Sequence, residues 1–190
     1  MLTDGMKRWI CMAVVMVGTL LGAEAQDMAV STNLMGYVDF GTMNVEASYA
    51  LARHWCMTAG LEYNPFTWRG GKEGGQMQNR QQTYAVGARY WPWHVYSGWW
   101  MAGKAQYQEY NRGGIRKVET REGDRVGGGL TAGYSYMLHK HINLEAGVGV
   151  WAGHDWYSVY ACPRCGRVVD KGNDFFFLLN DVILSVTYVF

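Results

Sequence analysis

The sequence is poor in proline and in charged residues. Its 190 residues include only 3 Pro, and Asp, Glu, Lys and Arg together make up 17%, whereas about 25% is usual in soluble domains. The formal net charge of +1 argues against the dense basic face that nucleic-acid binding requires. After residue 25 no apolar run is long enough to span a bilayer as a helix. These shortages disfavour a well-solvated surface, a nucleic-acid partner and a helical membrane protein.

Glycine and aromatic residues are abundant instead. The chain has 25 Gly, and its aromatic share is 15% within an apolar share of 49%. Because Gly costs about 1 kcal/mol at each helical site relative to Ala, this composition disfavours a helical bundle. Because disordered chains lack aromatic residues, it also disfavours disorder. The composition therefore predicts a β-rich protein.

The first 25 residues have the pattern of a secretory signal peptide. Lys7 and Arg8 give the positive start, the apolar run covers 9–22, and small residues at 23 and 25 mark a cleavage site. About 14 apolar residues fall short of the roughly 20 that a spanning helix needs, which disfavours a membrane anchor. The sequence thus predicts an exported chain whose single domain covers 26–190.

The exported chain alternates between apolar and small or polar residues, which is the pattern of β-strands with unlike faces. In one segment Trp55, Met57, Leu61 and Tyr63 share a face, and Glu62 lies on the other. The alternation predicts eight strands. Five are strongly patterned, at 55–63, 83–90, 126–138, 142–150 and 181–190; three are weaker, at 28–36, 43–51 and 98–110.

The polar face of these strands consists mainly of Gly, Ala, Ser and Thr, which suit a narrow interior. The apolar face is therefore expected to point outwards into lipid, where a closed barrel satisfies every backbone hydrogen bond. Nine residues from Trp55 to Tyr63 rise about 23 Å at a tilt of about 40°, close to the ~25 Å apolar band of such barrels. The expected fold is all-β: an eight-stranded antiparallel up-and-down outer-membrane β-barrel, small and porin-like.

The connections support this topology, because such barrels have short periplasmic turns and longer external loops. The turns at 52–54, 92–96 and 139–141 are short, whereas 64–80, 111–123 and 154–175 are long and hydrophilic. With both termini periplasmic, each long connection is predicted to be external; the first external loop, 37–42, is short. Tyr188 and Phe190 resemble the C-terminal signal that barrel assembly machinery reads, so this machinery is an expected partner.

Six charged residues are predicted to face the lumen: Glu46, Glu62, Arg89, Lys104, Glu145 and Asp181. An eight-stranded barrel has a lumen that side chains just fill, and an isolated buried charge is costly. The favoured interpretation is a structural ion network. A polar pathway or a catalytic carboxylate pair is the alternative.

Cys162 and Cys165, separated by two residues, form the sharpest local motif. In an oxidising compartment a disulfide or free thiols are expected. Half of a zinc site, completed by His154 and Asp155, or a redox role remain alternatives. No metal site, cofactor or cofactor-binding residue is predicted. Four other histidines fall in the short turns and are assigned no site: His54, His94, His139 and His141.

A lipid-modifying barrel enzyme is the main functional alternative, and it would need a serine beside a histidine near the lipid face. Ser48, Ser135 and Ser185 are predicted to face inwards, and no histidine falls in the middle of a strand. No catalytic residue is therefore assigned. A soluble periplasmic, lipocalin-like carrier of an apolar ligand is a further alternative.

Three segments, 28–34, 133–136 and 144–149, resemble an uncharacterised family of small secreted proteins with a domain of unknown function. The family occurs in Bacteroides-type bacteria (Bacteroidetes), and some members are encoded near fimbrial genes. The resemblance implies an outer-membrane β-barrel without assigned catalytic residues.

The sequence as a whole predicts a non-enzymatic, structural or accessory protein of the cell outer membrane. Expected partners are outer-membrane lipid, the assembly machinery and a surface protein such as a fimbrial fibre. The residues best suited to contact a surface partner are rings and cations of the external loops: Trp68, Arg69, Lys72, Arg112, Arg116, Lys117, Arg121, Trp156 and Tyr157.

Overall fold

The computed structural model describes residues 27–70, 75–115, 117–162 and 166–190, without the side chains of 180 and 181. The predicted signal peptide at 1–25 lies outside these ranges. The described chain is almost entirely β: β1 Met28–Asn33, α1 Leu34–Val38, β2 Met43–Ala52, β3 Trp55–Asn64, β4 Thr67–Arg69, β5 Gln76–Tyr90, β6 Gly98–Gly113, β7 Thr120–His139, β8 Ile142–Tyr160 and β9 Val168–Val189. No helix in the described ranges is long and apolar enough to cross a membrane.

The strands form one antiparallel sheet that closes on itself. The order runs β3-β2-β1-β9-β8-β7-β6-β5, and β3 also pairs with β5. Closure depends on the first and last strands, which pair from Ala29 with Val189 to Asn33 with Ser185. Eight strands therefore make a ring, and β4 is added beside β5 above the end of β3. The all-β, antiparallel, eight-stranded part of the prediction is confirmed.

Apolar side chains cover the outside of the ring and polar side chains fill its inside. On β7 the outward Leu130 is 69% exposed, whereas the inward Glu145 on β8 is 1% exposed. The buried polar set also includes Thr83, Gln106 and Gln108. A water-soluble domain buries its large apolar side chains, whereas this chain exposes most of them and buries a few aromatic rings such as Trp91, Trp100 and Trp151. The predicted assignment of the two faces is confirmed.

The first predicted strand, 28–36, is wrong in its last three residues. After Asn33 the chain turns into α1, and the Asn33 side chain accepts a hydrogen bond from Met35 N as the N-cap of that helix. The same side chain donates to Val182 O and accepts from Leu184 N. The Asn33 side chain thus has two roles: it caps the helix that follows β1, and it extends the hydrogen bonding between β1 and β9.

The predicted long loops are mostly strand. β5 begins at Gln76, β6 and β7 pair up to Gly113 with Thr120, and β8 and β9 pair up to Tyr160 with Val168. In these segments hydrophilic residues alternate between the two faces of strands that extend beyond the closed ring. Polarity alone does not distinguish such strands from loops, and the loop prediction is wrong for this reason. The predicted short turns at 52–54, 92–96 and 139–141 do lie between strands at the end that holds both described termini.

Two glycines make room for the indole of Trp100 inside the ring. Gly133 and Gly147 are paired across β7 and β8. A Cβ at Gly133 would lie 2.6 Å from Trp100 Cζ2 and 2.5 Å from Ala146 O, and a Cβ at Gly147 would lie 3.3 Å from the same ring atom. These two glycines of the inner face therefore have a packing role, because the large indole of Trp100 occupies the space that a side chain at either position would need.

We predict that Gly133→Ala destabilises the protein. The added methyl overpacks the interior, at a cost of about 1–3 kcal/mol. Gly128→Ala on the outer face of the same strand is the matched control, since its Cβ would meet nothing closer than Lys104 O at 3.7 Å. Urea unfolding of the two variants in lipid vesicles measures the difference, and equal stability would contradict the packing role.

Candidate functional site

The lower half of the interior is organised around Arg89 of β5. Its Nη1 donates to Glu145 Oε2 at 2.9 Å, and its Nη2 pairs with Glu46. Ser135 Oγ donates to the other oxygen of Glu145 at 3.5 Å. The guanidinium lies 4.4 Å from the ring centroid of Trp100. One cation therefore joins carboxylates of β2 and β8 across the ring.

An aromatic floor, defined as Trp91, Val95, Tyr96 and Trp100, closes the end of the interior nearest the termini. All four are buried, and the ring of Trp91 lies 6.0 Å from that of Tyr96 and 6.2 Å from that of Trp100. Asn143 Nδ2 donates to Tyr96 O at 2.7 Å. These contacts leave bulky rings where a pore would have to open.

Tyr96 lies in the turn between β5 and β6 and holds the floor in place. Burial raises the pKa of its phenol to about 12, so the hydroxyl remains protonated at neutral pH. It donates to Asp27 O at 3.3 Å and lies 3.3 Å from Ser48 Oγ. Its positive φ of 63° is an uncommon conformation for a residue other than glycine. The tight turn thereby points the phenol of Tyr96 into the interior of the closed sheet.

A second ionic group, centred on Asp155 of β8, lies in the upper half of the interior. Tyr110 Oη donates to its two oxygens at 2.8 and 3.0 Å, and Arg121 Nη2 and Arg125 Nε lie 3.0 and 3.1 Å from Oδ2. The Arg125 guanidinium also stacks 4.1 Å from the centroid of Tyr110. The carboxylate is 1% exposed, so its charge is balanced by two cations rather than by water.

Side-chain amides form a second set of polar contacts in the upper half of the interior. Gln108 Nε2 donates to Gln81 Oε1 at 3.3 Å and to Thr83 Oγ1 at 3.1 Å. Arg112 Nη2 donates to the same Gln81 oxygen at 3.2 Å. Asn79 Nδ2 reaches both carboxylate oxygens of Asp39, in the loop after α1, at 3.2 Å. The polar side chains of the upper interior therefore bond to one another across β5 and β6 and to the loop after α1.

A small cavity remains between the two ionic groups. Glu46, Glu62, Arg89 and Lys104 line it, together with Gln106 and residues of β1 and β9, and it holds ≈ 70 Å³. Each water molecule needs about 10–15 Å³ on this measure, whereas metabolite pockets span roughly 300–1,000 Å³. The cavity has room for a few water molecules, but not for a metabolite.

The structure places the six predicted lumen residues as follows. Glu46, Arg89 and Glu145 form one bonded group, and Glu62 and Lys104 line the cavity beside it. Asp181 pairs in register with Gly149, and its side chain lies outside the described part. Position 180, which has no partner on β8, is a bulge between Leu179 and Asp181.

Several residues predicted to lie in solvated loops have interior partners instead. Arg112 and Arg121 bond Gln81 and Asp155, and the guanidinium of Arg121 stacks 3.5 Å from the centroid of Tyr157. A hydrogen bond to Asp174 raises the pKa of Tyr157. The remaining described members of that set are exposed: Trp68, Arg69, Lys117 and Trp156. Lys72 and Arg116 lie outside the described residues.

The cysteine and histidine predictions have mixed outcomes. Cys162 is disulfide-bonded; Cys165 lies outside the described residues, so their pairing stays a prediction. His154 is wrongly placed in a loop, because it lies on the outer face of β8 between Trp156 and Phe175. Within the described ranges no group of three or more His, Cys, Asp and Glu is arranged to hold a metal.

The terminal residues Tyr188 and Phe190 have adjacent rings. Their centroids lie 5.1 Å apart, and Tyr188 stacks on His141 at 5.8 Å. Phe190 N donates to Met28 O at 3.0 Å. The predicted assembly signal thus lies at the seam where the last strand meets the first.

The Asp155 group is the functional feature that the sequence analysis missed. The predicted strand 142–150 already assigned its odd-numbered residues to the interior. Three more positions of the same alternation would have placed Trp151, Gly153 and Asp155 inside. The hydrophilic character of 154–175 predicts a loop, whereas β8 continues to Tyr160.

The comparisons with known proteins identify a family but no function. The model of the family described as "Protein of unknown function (DUF3575)" matches residues 10–190, so the chain belongs to that family. No curated protein matches the chain, and no solved structure matches it.

We predict that Arg89→Leu strongly destabilises the protein. The substitution leaves Glu145 buried without its cation, which costs about 3–5 kcal/mol in comparable pairs. Adding Glu145→Leu should restore part of this loss, because the unpaired charge is then removed. Arg80→Leu, at an exposed arginine of β5, serves as the control. Equal unfolding free energies for Arg89→Leu and Arg80→Leu in urea would contradict the prediction that the buried ion group stabilises the protein.

Proposed function

We propose that this protein is a non-enzymatic outer-membrane β-barrel with a structural or accessory role, which presents its external wall to a partner at the cell surface. The observation that carries the proposal is the inverted polarity of the ring. Large apolar side chains cover its exterior, and paired charges and amides fill its interior. In lipid this arrangement satisfies backbone and side chains together; in water it would expose an apolar surface of the kind that drives association.

The interior supports a structural role over transport or carriage. The aromatic floor closes one end, and the cavity holds ≈ 70 Å³. A lipocalin-like carrier needs an apolar cavity for its ligand, whereas the buried side chains here are largely polar. The interior is therefore best explained as the core that keeps the wall rigid.

The serine contacts support the absence of hydrolytic chemistry. Ser135 Oγ lies near Tyr96 O and Glu145, and Ser48 Oγ lies near Ala29 O and the Tyr96 hydroxyl. A serine nucleophile needs a general base within hydrogen-bond reach. The carboxylate beside Ser135, that of Glu145, is already paired with Arg89 inside the ring, and the other neighbours of these two serines are carbonyl and phenol groups. The lipid-modifying enzyme therefore remains the second candidate, without a specific observation in its favour.

Export and surface contact complete the proposal. Residues 1–25 would direct secretion, and Tyr188 and Phe190 would address the chain to the assembly machinery. We place the partner outside the cell because β7, β8 and β9, with 20, 19 and 22 residues, extend well beyond the ~25 Å apolar band. A fimbrial protein of a Bacteroidetes bacterium is the partner that the family resemblance suggests.

We predict that Val148→Arg destabilises the protein in lipid far more than Val169→Arg. The two valines are 59% and 57% exposed. Val148 lies about 15 Å above the lower end of β8, near the middle of the proposed band, whereas Val169 lies about 50 Å above the lower end of β9. An arginine at the bilayer midplane costs about 2–4 kcal/mol, falling to about 0–1 kcal/mol near the interface.

The measurement is urea unfolding of each variant in lipid vesicles, alongside fractionation of the wild-type protein in the native cell. Recovery in the outer membrane with heat-modifiable migration is expected. Release of the protein into buffer without detergent, or equal costs for the two arginine substitutions, would overturn the membrane assignment.

A further inference from the structure

The last strand is much longer than the first strand that it meets. β9 has 22 residues and β1 has 6. β9 pairs with β8 along nearly its whole length but pairs with β1 only from Ser185 to Val189. In the described part of the chain, no strand pairs with the edge of β9 above Ser185. We call the stretch from Val168 to Leu179 the free edge.

The hydrogen bonds at Asn33 show which backbone groups point to this side. The Asn33 side chain bonds Val182 O and Leu184 N, so these residues direct their backbone polar groups away from β8. Along an antiparallel ladder, successive residues direct their backbone N–H and C=O groups alternately to the neighbouring strand on one side and on the other. Val182 is opposite Val148, and Leu179 is opposite Val150, two positions further on β8. Leu179, Phe177 and Phe175 therefore direct their N–H and C=O groups to the free edge.

The free edge lies outside the proposed membrane. At about 3.3 Å per residue and a tilt of about 40°, Phe177 and Phe175 lie about 30 and 35 Å above Val189, beyond the ~25 Å apolar band. Both point outwards, with exposed fractions of 66% and 68%. A long exposed edge flanked by apolar side chains is an arrangement that proteins normally protect.

We propose that the free edge is the docking site for a partner surface protein, which adds an extended segment antiparallel to β9. The proposal rests on the proposed function, because it assigns the surface contact to one strand. The edge that β1 already occupies below continues upwards, so an added strand would prolong an existing ladder. Backbone groups would supply affinity, and Phe175 and Phe177 would contact alternate side chains of the segment.

A lipid or a second copy fits the edge less well. Acyl chains offer no hydrogen-bond partners for a row of backbone N–H and C=O groups. Two copies inserted in one membrane have β9 running in the same direction, so a second copy cannot continue the antiparallel ladder that β1 forms with β9. A strand from a different chain satisfies both requirements.

Amide hydrogen exchange of the segment 168–179, read by mass spectrometry, tests the proposal. Three preparations are compared: one copy per nanodisc of outer-membrane lipid, two copies per nanodisc, and the protein in its native outer membrane. We expect exchange at the free edge to be about tenfold slower, or more, in the native membrane alone, because a hydrogen-bonded strand protects N–H groups. Protection in a nanodisc, or in none of the preparations, would overturn the proposal.

A pair of variants separates backbone pairing from side-chain contact. Phe175→Pro removes the ring and the N–H group, whereas Phe175→Ala removes the ring alone; proline is tolerated on edge strands. We expect the native-membrane protection to be lost in Phe175→Pro and largely retained in Phe175→Ala. Equal protection in the two variants would overturn strand addition. A chain absent from the outer membrane would overturn the proposed function as well, whereas a chain present there without native-only protection would overturn this inference alone.

Discussion

The ladder between β1 and β9 converts a sheet into an enclosed space, and the other features of the molecule depend on that enclosure. The paired residues run from Ala29 to Asn33 and from Ser185 to Val189, and the bond from Phe190 N to Met28 O extends the ladder at its lower end. Without this seam the inner face would be one side of an open sheet, and Arg89, Glu46 and Glu145 would be hydrated. With it they lie in a shielded interior, where an unpaired charge is expensive. The pairing of the interior charges is therefore a consequence of ring closure.

Enclosure also accounts for the distribution of small and large side chains. An eight-stranded ring has a narrow interior, so the indole of Trp100 needs backbone without side chains at Gly133 and Gly147. The same indole receives the guanidinium of Arg89 at 4.4 Å. Glycine, tryptophan and the ion group are thus parts of one packing arrangement. A change at any of the three affects the other two, because the indole of Trp100 contacts both the glycines and the guanidinium.

The sequence predicted the strand faces well, since alternation by two is a strong local signal. It assigned Glu46, Arg89 and Glu145 to one interior from three separate strands. It failed where a single local feature changes the pattern. Asn33 ends β1 with a side-chain cap, and the bulge at position 180 shifts the alternation of β9 relative to β8. Both features depend on a neighbouring strand, which no single segment of sequence reveals.

The strand ends were the least predictable part for a related reason. Composition distinguishes a hydrophilic loop from an apolar strand, but it does not distinguish a hydrophilic loop from a hydrophilic strand. In the upper part of the strands both faces are partly polar, so the contrast between the faces weakens there, and Asp155 is reached only by continuing the alternation of the lower part of β8. The ion pair of Arg121 with Asp155 joins β7 and β8, which remain paired as far as Tyr160. The aromatic floor closes one end of the ring, so the end opposite the floor is the accessible one, and in the proposed outer-membrane setting that end would face the outside of the cell.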